Sequence, residues 1–491
     1  MPPVHDVAVV GAGPAGLAAA VEAAASGLAV ALVDTAAQPG GQYWRHYDET
    51  HARPADRAGH HGWRTFTALR ERLDVLRAAG RIRYLPGHQV WLATRNAGGE
   101  FDLRLTATTA TASGAARSIV ARALILCPGG HDRQLPVPGW ELPGVLTAGG
   151  VQALLTGHRT PAGRRAVVAG TGPFLLSVAT GLAEAGVTVA AVAEANGVGG
   201  WLRDPLGALS APGKGVEAAR YAALMARHRI PYRTRTVVRE ILGRDRVEAV
   251  RFARVDRDGR ATGPDEEVAV DLVALGWGFT PALELPLMLG AATARDVDGS
   301  LVVVADDLQR SSVDGLYVAG EATGVGGAAL AVAEGRLAAL ALAADRGRPA
   351  DPARTRRLRG RVWRGRRFAA AMHRACPVPP GWSDRLPDTT VVCRCEEVSY
   401  GDLRRAYDDL GATDARTLKM LARPGMGWCQ GRVCGYATAA IAARWGGRAT
   451  TVDDLRPLAT RSLAVPVPLE EIAALVGEPA GATEEEGRDG E

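Results

Sequence analysis

The chain has 491 residues, 47% hydrophobic and 23% charged, with 60 glycines and a formal net charge of only +5. This length exceeds one ordinary core and is expected to divide into about two to four domains. The weak charge, with no stripe of basic residues interleaved with aromatics, speaks against nucleic acid as a partner. Met1 to Asp6 offers no basic segment of a secretory leader. The apolar run Gly16 to Val33 is interrupted by Glu22, Ser26 and Gly27, so no run reaches the roughly 20 residues of a membrane span. A cytoplasmic protein is expected.

Val4 to Val10 reads as an apolar strand, followed by Gly11-Ala-Gly-Pro-Ala-Gly16 and an alanine-rich helix to about Ser26. A second strand, Ala29 to Val33, ends on Asp34, and a polar loop runs from Thr35 to about Trp63. A helix over Thr65 to Ala79 and β-type alternation over Ile82–Leu105 and Ile119–Leu126 complete this part. The pattern then restarts about 160 residues on, with a strand at Ala166–Ala169, a turn at Gly170-Thr-Gly172, a helix over Phe174–Ala185 and a strand from Val187 ending on Glu194. Further strands fit Val247–Val255, Val268–Leu275, Leu301–Val304 and Asp314–Gly320, and a long helix fits Gly327–Ala344. Residues 346–388 are rich in Pro and Arg and read as a linker with one basic helix, whose charged face is expected to be solvated. A compact module spans about Thr389 to Thr450, and a frayed acidic tail closes the chain.

Gly11, Gly13 and Gly16 lie between a strand and a helix, which turns a weak glycine motif into a strong one. Gly11 permits the tight turn, Gly13 lets backbone approach a pyrophosphate, and Gly16 allows close helix–strand packing. The helix start at Pro14 and Ala15 then faces the phosphates with free N–H groups, and Asp34 stands where a carboxylate accepts from ribose. These features alone admit either FAD or NAD. Downstream motifs favour FAD, because Gln38-Pro-Gly-Gly41-Gln42, Ala123-Leu-Ile-Leu-Cys-Pro-Gly129 and Tyr317-Val-Ala-Gly320-Glu321 resemble those of flavoproteins with two dinucleotide-binding domains. Two departures stand out: Cys127-Pro128 replaces the usual Thr of the second motif, and Glu321 the usual Asp of the third. The resemblance carries Gly11, Gly13, Pro14, Ala15, Gly16, Asp34, Gly41, Gln42, Val90, Gly129, Gly320 and Glu321 over as cofactor contacts.

The second glycine loop resembles a nicotinamide-nucleotide motif, with Leu175 in place of its third glycine. A leucine there is expected to wedge the helix away from the strand. Gly170, Gly172 and Glu194 could address NAD, with Glu194 disfavouring a 2′-phosphate. Three readings stay open: NADH chemistry, another adenine nucleotide, or an empty scaffold. No Cys-x-x-Cys lies near the flavin, which excludes dithiol chemistry, and Cys127 reads as a packing thiol. His60-His61 and His131 are scattered. Asp132-Arg133 reads as a structural ion pair sooner than a carboxylate site.

Cys393, Cys395, Cys429 and Cys434 can hold zinc or an iron–sulfur cluster. The Cys-x-Cys spacing is unusual for zinc. Val392-Cys-Arg-Cys-Glu-Glu397 and Gly425-Met-Gly-Trp-Cys-Gln-Gly-Arg-Val-Cys434 resemble the bacterioferritin-associated-ferredoxin-like domain, which implies [2Fe-2S]. Cys376 lies outside this set.

Together the motifs imply an α/β flavoprotein with two dinucleotide-binding βαβ domains and a small helical [2Fe-2S] domain. The expected division is a discontinuous FAD domain (1–150 and 280–345), a nucleotide-like domain (151–279), the linker (346–388), the cluster domain (389–450) and a tail (451–491). Nearly the whole chain resembles the large subunit of hydrogen cyanide synthases, opine oxidases and proline or hydroxyproline dehydrogenases. Its signatures are His131-Asp-Arg-Gln-Leu-Pro-Val-Pro-Gly-Trp140, Leu142 to Gly150, Gly324-Val-Gly-Gly327 and Ala333-Glu-Gly-Arg336. The resemblance implies a hetero-oligomer in which an amino-acid-oxidase-like FAD subunit oxidises a C–N bond and this chain relays electrons, alone or with a small ferredoxin-like subunit. A self-sufficient NADH reductase and a redox-sensing or iron-handling protein are the rival readings.

Overall fold

The computed structural model describes residues 4–51, 61–109, 117–256, 259–349 and 351–477. Met1 to Pro3, His60 and the acidic tail from Glu478 onward lie outside the described residues.

Two five-stranded parallel sheets organise the chain. The first has the order Leu316–Val318, Leu124–Leu126, Val7–Val10, Val30–Val33, Ile82–Leu85. Its inner strands are continuous Val, Leu, Ile and Ala runs, as burial on both faces requires. On one face the helix Pro14–Ala25 lies against the helix Ala328–Asp345. Small residues make that contact close, and a Cβ on Gly335 would stand 2.0 Å from Ala15 O. The other face packs on a sheet ordered Val4–His5, Ser118–Ala121, Phe101–Ala107, His88–Arg95, with Val90, Phe101 and Leu103 in the shared core.

The second parallel sheet has the order Val145–Thr147, Leu272–Gly276, Arg165–Gly170, Thr188–Glu194, Tyr232–Thr234. An antiparallel meander, Thr236–Leu242, Ala249–Arg254 and Glu266–Ala269, packs beside it. This unit is inserted between strands Leu124–Leu126 and Leu316–Val318 of the first sheet, which pair directly.

Two expected strands divide. Val4–Val10 breaks at Asp6, whose carboxylate accepts from Ala29 N (2.9 Å) and from Arg122 Nη1 (3.1 Å), and the halves join different sheets. Val268–Leu275 breaks at Asp271, which accepts from the Arg164 and Arg165 amides where the chain passes from meander to parallel sheet.

The arginine-rich stretch forms one 24-residue helix, Pro352–Ala375. Asp351 caps it, accepting from Ala353 N and Arg354 N, with Pro352 at the first position. Leu358 and Val362 bury against Leu330, Leu337 and Leu340. Four of its arginines pair with acids of other elements: Arg354 with Glu22, Arg359 with Asp307, Arg366 with Glu334 and Arg374 with Asp204. The stretch is thus docked along much of its length.

Among the described residues the C-terminal module has two short strands, Val391–Cys393 and Val398–Ser399, and five helices, Tyr400–Asp408, Ala415–Ala422, Gly435–Trp445, Val452–Ala459 and Leu469–Gly477. Reciprocal capping boxes start two of them, Ser399 with Asp402 and Thr451 with Asp454. Ala439, Leu455 and Ala464 enter one core with Leu285 and Leu301 of the body. No helix of the described residues is long and apolar enough to cross a membrane.

Candidate functional site

The first glycine loop leaves strand Val7–Val10 with Gly11 at φ +96°, and its Cβ would stand 2.3 Å from Cys127 O. A Cβ on Gly16 would stand 1.7 Å from Gly11 O. Both positions therefore require glycine. Gly13 caps the helix in extended conformation, with Pro14 at the first position, and a Cβ there would meet only Gly41 Cα at 3.8 Å. The space over Gly13 is what a pyrophosphate needs. Gly41 (φ +60°) lies against Gly13, and Gly320 (φ +82°) lies against Ala15. The fold thus gathers Gly11, Gly13, Pro14, Ala15, Gly16, Gly41 and Gly320 at one helix start.

Asp34 is buried, and its carboxylate accepts from the amides of Ala12 and Ala36. Loss of solvent pushes its pKa up, against those two bonds. Each carboxylate oxygen carries a second lone pair, so a ribose hydroxyl can still be received. Gly129 (φ +72°) has nothing within 4 Å of its Cβ position, as befits a wall left open for a flat ring. Gln42 is exposed, and its Oε1 accepts from Arg45 at 2.6 Å. Val90 sends its side chain into the core, at a bulge two residues after His88, whose amide bonds Asp34 O at 2.9 Å.

Glu321 gives the clearest fit to a bound cofactor. Its Oε1 accepts from Gly327 N (3.2 Å), while its Oε2 is buried without a partner. Burial raises its carboxyl to about 7. A buried unpaired carboxylate oxygen is costly, and a ribityl or ribose hydroxyl would satisfy it. Two residues outside the sequence-derived set hold this loop. Glu334 is completely buried and accepts from Gly320 N at 2.9 Å. Arg366 pairs with Glu334 at 2.6 Å and donates to Gly324 O (2.6 Å) and to Thr323. Glu334 belongs to the Ala333-Glu-Gly-Arg336 signature, but nothing local in the sequence connects it to an arginine 32 positions on.

Around the second loop, Gly170 (φ +143°) and Gly172 (φ +92°) repeat the turn. Leu175 does not wedge helix from strand. It is fully buried, and room comes from the neighbouring strand, where a Cβ on Gly276 would meet Leu175 Cδ2 at 2.9 Å. Glu194 accepts from Gly172 N (2.7 Å), Asn196 N (2.9 Å) and Thr171 Oγ1 (3.1 Å), and burial raises its pKa. The segment after the long helix lies across this loop. The single Thr171 hydroxyl proton is shared between Glu194 and Cys376 O (3.1 Å each), Asn196 Nδ2 donates to Pro377 O (2.9 Å), and Arg203 donates to Arg374 O (2.8 Å). A cavity of about 250 Å³ remains beside this segment, walled by Gly172, Phe174, Trp277, Phe279, His373 and Tyr436.

Asp132 and Arg133 do not pair with each other. Asp132 accepts from Thr147 Oγ1 (2.9 Å) and Gly149 N (3.1 Å), and Arg133 pairs with Asp298 at 2.8 Å and stacks on Tyr436. The strand Gly130–Asp132 ends between the two residues, and each side chain finds its own partners. Among the other candidates, His61 bonds Tyr221 (2.8 Å) and His131 Nε2 donates to Arg432 O (2.9 Å). Cys127 is buried and its thiol is pushed far up by burial, which makes it inert packing.

The four C-terminal cysteines converge as two pairs, Cys393 with Cys434 and Cys395 with Cys429. A hydrogen bond from Cys434 lowers Cys393 to about 5. Among the described residues no three ligating side chains close on a single metal point. Two pairs around a shared space suit a two-iron cluster better than one zinc ion. A cavity of about 260 Å³ adjoins them, walled also by Gln134, Trp140 and Thr147. Glycines shape the loops, since a Cβ on Gly427 would stand 2.3 Å from Cys395 Cβ, and Gly425 N approaches Cys393 Sγ at 3.5 Å. The loop between Cys429 and Cys434 is braced by Arg432 to Glu284 (2.7 Å), by Arg461 to Gln430 O and by His131.

Residues 5–336 match the family described as pyridine nucleotide-disulphide oxidoreductase, and residues 391–444 match the BFD-like [2Fe-2S] binding domain. The chain is 33% identical over 489 residues to an opine oxidase subunit of Agrobacterium tumefaciens (strain Ach5), covering 96% of this chain and 92% of the relative. It is also 33% identical over 441 residues to hydrogen cyanide synthase subunit HcnB of Pseudomonas aeruginosa, covering 88% and 91%. Among solved structures, L-proline dehydrogenase from P. horikoshii superposes with a TM-score of 0.67 at 20% identity, covering 96% of this chain and 79% of the other, which speaks for the fold. The chain therefore belongs to the pyridine nucleotide-disulphide oxidoreductase family, alongside this opine oxidase subunit of Agrobacterium and HcnB, as an oxidoreductase with FAD and a [2Fe-2S] cluster as its cofactors.

Proposed function

We propose that this chain is the electron-relaying subunit of a multi-subunit dehydrogenase acting on the C–N bond of an amino or imino acid, of the proline, hydroxyproline or opine type. Gly11, Gly13 and the start of helix Pro14–Ala25 receive the pyrophosphate of FAD, with Asp34 and Glu321 taking hydroxyl groups. Cys393, Cys395, Cys429 and Cys434 ligate the cluster. When bound, a flavin accepts two electrons and can release them singly, and an iron–sulfur cluster carries one at a time. The protein's part is to fix both groups in one body. Glu334 and Arg366 hold the Gly320–Gly324 loop at the flavin side, and Glu284, Arg461 and His131 hold the cysteine loop.

The observation that carries this reading is the cover over the second glycine loop. With Cys376 O and Pro377 O bonded to Thr171 and Asn196, the chain's own backbone lies where a dinucleotide would approach. Nicotinamide entry is thereby disfavoured, and electrons are expected to arrive from a partner. An amino-acid-oxidase-like FAD subunit is the proposed donor, joined in the complex by a small ferredoxin-like subunit. The relatives, which are subunits of opine oxidase and hydrogen cyanide synthase, support this assembly. The test is anaerobic reduction of the holo-chain. NADH should leave the flavin band intact, whereas proline, hydroxyproline or an opine should bleach it only with the partner subunit present. Rapid bleaching by NADH alone would establish the rival self-sufficient reductase.

A further inference from the structure

The long arginine helix leaves one face without a counterpart among the described residues. Of its nine arginines, the four already named pair with acids; Arg356, Arg357, Arg361, Arg364 and Arg367 are exposed and meet no acid among the described residues. The helix carries no Asp or Glu of its own. Trp363 stands among these arginines, 61% exposed.

Residues 198–216 extend this face. The stretch lies along the helix, joined by the Trp201–Phe368 ring contact (5.9 Å), by Ser210 Oγ to Arg364 O (3.1 Å) and by the Arg374–Asp204 ion pair (2.8 Å). It leaves Val198, Leu202, Leu206, Leu209 and Val216 between 69% and 79% exposed. Its one carboxylate, Asp204, is already taken by Arg374. Val198, Leu202, Leu206, Leu209 and Trp363, carried on elements that pack together, exceed the scattered exposure of ordinary surfaces. Exposed apolar side chains beside unpaired cations suit a protein interface.

We infer that this face, the arginine helix with residues 198–216, docks the amine-oxidising flavoprotein subunit through an apolar patch on that subunit rimmed by Asp and Glu. The inference rests on the relay reading given above and adds to it the surface by which the partner is held. Membrane binding fits less well. The helix's own apolar face is buried against Leu330 and Leu337 and cannot enter a bilayer. Nucleic acid fits less well too, since leucines and valines make up much of the patch. A second copy of this chain would bring arginine against arginine.

The test uses the full holo-chain co-expressed with the amine-oxidising flavoprotein subunit encoded in the same genome. Two variants are made, one with Arg356→Glu, Arg364→Glu and Arg367→Glu, the other with Leu206→Asp and Leu209→Asp. Each should weaken the complex at least about tenfold, with flavin and cluster spectra of the isolated chain unchanged. Raising the salt should weaken the wild-type complex and leave the charge-reversed one nearly insensitive. If the wild-type complex forms and both variants form it equally well, the surface assignment is overturned and the relay reading stands. If no complex forms and the amine alone bleaches the wild-type chain, the relay reading falls and takes the inference with it. A patch variant that lowers the mass of the isolated chain would assign the face to a second copy instead. Reversal that abolishes binding to phosphatidylserine vesicles but not to the partner would assign it to a membrane.

Discussion

Arg366→Met tests the bracing of the flavin loop. The substitution keeps the aliphatic stem but removes the guanidinium that pairs with Glu334 at 2.6 Å and donates to Gly324 O. Glu334 has no exposed surface, and its carboxyl is already pushed up by burial, with Arg366 the main opposing influence. Removing one partner of a buried pair costs about 3–5 kcal/mol, because the remaining charge stays out of water. Glu334 would then take up a proton, so the loss depends on pH. Below the ordinary carboxyl range both folded and unfolded chains are protonated and no penalty arises. As pH rises toward the raised folded value only the unfolded state ionises, and stability falls. The variant should therefore lie closer to wild type at pH 5 than at pH 8. The assay is release of FAD in urea, followed by the rise in flavin fluorescence. At an m of about 3 kcal/mol/M the midpoint at pH 8 should drop by about 1–2 M. Adding Glu334→Gln should restore more than half, since a neutral amide oxygen still accepts from Gly320 N. A drop below about 0.3 M, or no recovery with Gln, would refute the argument.

Gly16→Ala should yield a chain purified without FAD, because its Cβ would stand 1.7 Å from Gly11 O and force the helix off the strand; normal flavin content would contradict this. Cys393→Ser should abolish stoichiometric iron and sulfide while leaving the flavin band, and an unchanged iron content would remove Cys393 from the ligand set. The FAD-free chain should lose stability as pH rises from about 4.5 through 7, since the Glu321 carboxyl is raised to about 7 by burial. Glu321→Gln should flatten that profile in thermal unfolding scans, and an unaltered profile would contradict the assignment.

The two βαβ units were legible because their evidence is local. A valine strand, glycines at fixed offsets and a terminal acid encode one turn of chain, and Gly11 to Asp34 fold as that pattern implies. The cysteine module was legible for the same reason. What escaped were contacts between distant stretches. The Glu334–Arg366 pair joins two helices, and neither partner differs in type from its neighbours. The room for Leu175 is made by Gly276 on another strand, so the wedge expected from the motif does not arise. The carbonyls of Cys376 and Pro377 bond to the second loop through backbone atoms, which carry no residue signature. Asp132 and Arg133, adjacent in sequence, diverge where the strand ends, toward Thr147 and toward Asp298.

The pairing of Leu316–Val318 with Leu124–Leu126 also dictates an order of biosynthesis. The first sheet lacks an outer strand, and helix Pro14–Ala25 lacks its packing partner, until the helix Ala328–Asp345 has left the ribosome. At about 5–20 residues per second, synthesis to that point takes roughly 20–70 s. The inserted sheet, from Val145–Thr147 to Leu272–Gly276, is contiguous and can close earlier. FAD should therefore join a chain that is about two-thirds made, and nascent chains stalled before residue 316 should retain none.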